Sequence, residues 1–76
     1  IRKYISVHPN ICHGKPCFRG TRIPVALILQ MIEGGDSIDD IIRGYPSLSK
    51  NAIKAALHLA SEMIEKSRFS SRALAK

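Results

Sequence analysis

The sequence predicts a mainly α fold: a three-helix helix-turn-helix domain with a short N-terminal β arm. Two observations carry that prediction. From residue 24 onward, three apolar-periodic segments are separated by Gly34-Gly35-Asp36 and by the stretch Gly44 to Leu48, and their ends fall on residues that cap or break helices. Ahead of them, Tyr4-Ile5-Ser6-Val7 alternates and is rich in β-formers, as a short strand requires. The expected organisation is a single domain over 1–76, with a β arm and loop at 1–23, a helical core at 24–67 and a basic tail at 68–76.

In chain order, His8-Pro9-Asn10 breaks the first strand, and Gly14 and Gly20 mark residues 10–20 as a loop. Arg19 to Ile23 is expected to return as a second extended segment, because Thr21 and Ile23 favour it and the residue before Pro24 is pushed away from α. Pro24 then opens a helix whose residues Val25 to Glu33 are apolar nearly all round, which predicts a central, buried element ended by Gly34-Gly35. Ser37 caps a second helix; Asp39 and Asp40 complement its positive end, Ile38, Ile41 and Ile42 form its buried stripe, and Gly44 stops it. Ser49 caps a third, reaching about Ser67. Two rows predict its buried face: Ile53, Leu57, Ala60 and Ile64, then Ala52, Ala56, Leu59 and Met63.

Length and charge narrow the function classes. A chain of 76 residues buries only about 60% of its unfolded surface, so a partner that covers more is expected. The net charge is +6, distributed as +5 over residues 1–32, −3 over 33–48 and +4 over 49–76. A basic head and tail around an acidic middle suits contact with a polyanion. With no signal-like N-terminus, no long apolar run and only two cysteines, which could form at most one short-loop disulfide, the expectation is a cytoplasmic protein without a membrane partner.

The second and third helices are the part that carries chemistry. In a helix-turn-helix pair the second helix enters the major groove and shows its N-terminal residues to base edges. Lys50, Asn51, Lys54 and His58 are the residues expected to point outward there. Lysines reach phosphates or guanine acceptors, and asparagine pairs bidentately with adenine. The first turn of this helix is also basic where its dipole prefers acids, which a phosphate partner would explain.

His8, Cys12, His13 and Cys17 bring four zinc-type ligands into ten residues, yet Cys12 and His13 are adjacent and no CxxC pair exists, so no cofactor or metal is expected. The acids Glu33, Asp36, Asp39 and Asp40 cluster where helix capping explains them, and no nucleophile has an evident orienting partner, so the chain is not expected to be an enzyme.

The run Ile11-Cys12-His13-Gly14-Lys15-Pro16-Cys17-Phe18-Arg19-Gly20-Thr21-Arg22-Ile23-Pro24-Val25, together with Gly34-Gly35, Tyr45-Pro46, Leu48, Ile53 and Ala55-Ala56-Leu57, resembles the signature of domain-of-unknown-function family 433. His13 stands where that pattern commonly has glycine. The resemblance implies a helix-turn-helix, homeodomain-like fold and a VapB-type antitoxin-like role in a type II toxin–antitoxin system. Such a protein neutralises a PIN-like ribonuclease toxin and binds operator DNA, double-stranded, for autorepression of transcription. In that setting Arg19 and Arg22, in the acid-free segment, are expected to contact phosphates or a partner's carboxylates, the alternative being that Arg22 ties down Asp39 or Asp40. The two extended segments are expected to pair between chains in a homodimer that matches a palindromic operator. The tail is expected to bind the toxin, with Phe69 and Leu74 as anchors and Arg68 or Arg72 reaching its acidic metal site. The alternative function is a protein-interaction or structural module that does not bind DNA, with or without a zinc staple.

Overall fold

In the computed structural model, which describes residues 2–67, three helices pack with a small antiparallel hairpin. Strand β1 (Ile5–Ser6) pairs with β2 (Cys17–Phe18), Ile5 opposite Phe18 and Ser6 opposite Cys17. Helices α1 (Val25–Glu33), α2 (Ile38–Gly44) and α3 (Lys50–Lys66) follow.

The second strand lies earlier than the residue preferences indicate. Arg19-Gly20 is instead a turn: the Thr21 amide donates to the Phe18 carbonyl at 3.0 Å, and Gly20 takes a φ of +79° that a side chain would strain. The Thr21 hydroxyl donates to the Phe18 carbonyl at 2.7 Å and accepts the Ile23 amide at 3.0 Å. The Val25 amide donates to the Pro16 carbonyl at 3.0 Å, tying the start of α1 to the loop. The strands pair within one chain rather than between two.

The caps fall where the side chains indicate. Ser37 Oγ accepts the Asp40 amide and Ser49 Oγ accepts the Ala52 amide, both at 3.1 Å. Gly35, at φ +105°, turns the chain out of α1.

Ile5 and Phe18 from the hairpin join Val25, Ile28, Ile41, Leu48, Ala52, Ile53 and Ala56 in one apolar core. The hairpin is therefore a wall of the core, not a free arm. Helix α1 is less enclosed than its composition predicts: Val25 and Ile28 are buried, whereas Leu27 is 37% exposed. The remaining elements cover one side of it and leave the other to solvent. In α3 the expected rows also stop early. Ala52, Ile53 and Ala56 are buried, but Leu57, Met63 and Ile64 are exposed, the last by 62%. At 17 residues, α3 is nearly twice as long as α1, with 9, and longer still than α2, with 7; its last turns outrun the elements that pack on it.

Candidate nucleic-acid interface

The turn between α2 and α3 is held by local bonds. The Tyr45 amide donates to the Ile41 carbonyl at 2.8 Å, and the Leu48 amide to the Tyr45 carbonyl at 2.9 Å. Leu48 is buried beneath it. Packing at Leu48, Ala52, Ile53 and Ala56 fixes the rotation of α3, and helical geometry then turns Lys50, Asn51, Lys54 and His58 outward, where all four are exposed.

Their surroundings differ. Lys50 Nζ stands 3.9 Å from Asp39 Oδ1 on α2. The two side chains remain 59% and 77% exposed, so the contact is worth well under about 1 kcal/mol. It nevertheless gives the basic first turn of α3 a neighbouring acid that the turn itself lacks. Lys54 makes no ion pair among the described residues. His58 Nε2 lies 3.3 Å from Glu62 Oε1, and Lys66 Nζ reaches the same carboxylate at 3.7 Å, so a polar ladder continues along this side of α3.

The two loop arginines separate. Arg19 donates from Nε to the Arg2 carbonyl at 2.8 Å and from Nη2 to the Ile5 carbonyl at 3.4 Å. Its guanidinium clamps the hairpin, a structural duty that competes with the expected contact to phosphate. Arg22 is exposed and pairs with neither Asp39 nor Asp40; Asp40 bonds Arg43 within α2 instead. The expected toxin contacts Arg68, Phe69, Arg72 and Leu74 lie outside the described residues.

The loop ligands do not converge on a metal geometry. Among the described residues no three His, Cys, Asp or Glu side chains form a group able to hold an ion. His8 Nδ1 accepts the Asn10 amide at 3.1 Å. The Cys12 and Cys17 thiols donate to neighbouring carbonyls, of Arg22 at 3.4 Å and Thr21 at 3.6 Å. Desolvation, reinforced by the adjacent Cys17 thiol, pushes the Cys12 thiol above its ordinary range.

A second feature has no signal in the residue pattern. A groove of about 400 Å³ runs between the Cys12–Pro16 loop, the start of α1 at Ala26 and Leu29, and Leu59 and Met63 of α3. It arises because α3 overhangs α1, a property of relative helix length and placement.

Comparison with known proteins adds kinship. A family described as "Protein of unknown function (DUF433)" matches residues 5–60, the span from β1 into the second half of α3. An uncharacterized protein, y4eO, of Sinorhizobium fredii is 33% identical over 55 residues, which is 72% of this chain and 25% of that protein; the chain thus spans about a quarter of the relative's length. The crystal structure of a DUF433 member from Anabaena variabilis superposes with a TM-score of 0.78 at 28% identity, over 86% of this chain and 64% of that one. Among the described residues, no helix is long and apolar enough to cross a membrane.

Proposed function

The chain belongs to the DUF433 family, and on that premise we propose that it is a cytoplasmic DNA-binding antitoxin that reads an operator through α3. The observation that carries this reading is the exposed set Lys50, Asn51 and Lys54 on the first turns of α3, immediately after the turn from a short helix. A groove-entering helix needs that arrangement: an N-terminus with free amides, cations for phosphate and an amide side chain for a base edge. Lys50 and Lys54 hold phosphates, Asn51 reads a base, His58 extends the contact one turn on, and Arg22 reaches a flanking phosphate. The toxin partner is a PIN-like ribonuclease, met by Arg68, Phe69, Arg72 and Leu74 in the basic tail.

Titration of duplex DNA from upstream of the gene, across a salt series, tests the DNA half. Affinity is expected to fall steeply with salt, Lys50→Ala to flatten the slope by about one unit, and Asn51→Ala to relax base preference. No binding at low salt overturns it. Co-expression with a neighbouring ribonuclease gene tests the other half: removal of residues 68–76 should abolish neutralisation and spare DNA binding.

The apolar groove favours a second reading, a protein-interaction module without a DNA role. Under that reading, DNA binding is absent while neutralisation, or capture of another partner, depends on Leu59 and Met63 rather than on Lys50.

A further inference from the structure

The last three turns of α3 carry an apolar strip that nothing in the described chain covers. Leu57 is 42% exposed and Ile64 62% exposed, and a spacing of seven residues places them one above the other on the helix. Between them lie Ala60 and Ser61, small enough for another backbone to come close. Beside the strip the charge changes sign along the helix: Lys54 stands near its N-terminal end and Glu65 near its C-terminal end, both exposed. Among the described residues neither makes an ion pair, although Lys50, Glu62 and Lys66 on the same helix all do.

We infer that this strip is a self-association surface, in which α3 packs antiparallel on α3 of a second copy of the chain. A two-fold axis passing beside Ala60 and Ser61 sets Leu57 of each chain against Ile64 of the other. The same operation brings Lys54 of each chain to within about two residues, or about 3 Å along the helix, of Glu65 of the other and on the same flank, so the flanking charges match in the antiparallel sense. In a parallel pair the flank that carries Lys54 and Glu65 would fall on opposite sides of the interface in the two chains, so neither charge would meet its counterpart. This is an isologous interface, closed by its own symmetry. It replaces the between-chain strand pairing, since β1 and β2 already pair with each other.

The dimer stands without any DNA role. If α3 also reads DNA, the pairing sets the two helix N-termini about 30 Å apart at 1.5 Å per residue, close to the roughly 34 Å that separates successive major grooves on one face of a duplex. That last consequence rests on the function proposed above; the dimer does not.

Sedimentation equilibrium of the full chain without DNA decides the matter. The mass is expected to rise with concentration from 8.4 kDa to twice that value. Lys54→Glu alone, or Glu65→Lys alone, should weaken dimerisation about tenfold, because each dimer then holds two like-charge contacts. The Lys54→Glu/Glu65→Lys double variant should restore it. Leu57→Glu with Ile64→Glu should leave a monomer of unchanged helical circular dichroism. A chain that stays monomeric at every concentration overturns the inference, with residues 68–76 or another partner as the cover. A dimer indifferent to the charge changes, or one that the double swap fails to restore, overturns it equally. If the dimer holds while duplex DNA is ignored, the DNA reading alone falls.

Discussion

Lys50 at the start of α3 and Asp39 in the first turn of α2 face each other across the inter-helix turn, Nζ 3.9 Å from Oδ1. The acid that helps cap α2 thus sits beside the first cation of the proposed reading helix and partly offsets its charge. Removing that offset should help a polyanion. Asp39→Asn is expected to tighten duplex binding about two- to threefold at low salt. Binding isotherms of the two proteins on the same duplex check this, and weaker binding by Asp39→Asn would place DNA elsewhere on the surface.

The core predicts a sharp contrast between two kinds of apolar residue. Ile28 and Ile53 are fully buried, whereas Val7 is 64% exposed. Ile28→Val and Ile53→Val should each cost about 1 kcal/mol, and Val7→Thr should stay within about 0.5 kcal/mol of the parent. Urea denaturation midpoints at unchanged slope give the comparison.

The loop before β2 stores strain. Cys12 and His13 take φ values of +53° and +55°, in the left-handed region that costs an L-residue about 1–2 kcal/mol. His13 also donates no hydrogen bond that the described structure records. His13→Gly should therefore raise stability by up to about 1 kcal/mol after glycine's greater entropy loss is set against it. His13→Ala, which keeps a Cβ at the same φ, should bring no such gain. Thermal melts of the two variants separate backbone relief from loss of the imidazole.

Acid should loosen α2 through Asp40. The Arg43 guanidinium, and after it the Ser37 hydroxyl, hold the Asp40 carboxyl below the usual carboxylate range. A carboxylate whose pKa is lowered by folding contributes stability above its unfolded value and loses it as pH falls through the folded value. Helix α2 should thus weaken only below the ordinary carboxylate range, and Asp40→Asn should remove that dependence. Side-chain NMR titration of Asp40 in the folded chain and in concentrated urea reports the direction.

How far the residues alone disclose this protein depends on the range of the forces involved. Helix caps at Ser37 and Ser49 bond amides three residues away, so local chemistry predicts them and the structure has them. The outward turn of Lys50, Asn51 and Lys54 also follows from helical period once Ile53 and Ala56 face the core. Phe18 lies in the stretch whose glycines and proline mark it as loop, and its burial comes from partners far along the chain: Ile5 across the hairpin and the helices behind it. Arg19 shows the same limit, since only the returned strand brings the Arg2 and Ile5 carbonyls to its guanidinium.

Three helices, their caps and the basic, polar character of one face of α3 are written in the residues alone, because all of them arise from contacts within about two turns of chain. Where the apolar rows cease to be buried depends on how the helices pack. Periodicity marks Leu57 and Ile64 as inward-facing just as it marks Ile53, but burial requires a neighbour, and α1 and α2 end before α3 does. The uncovered strip and the groove beside it follow from that difference in length, which no single helix encodes.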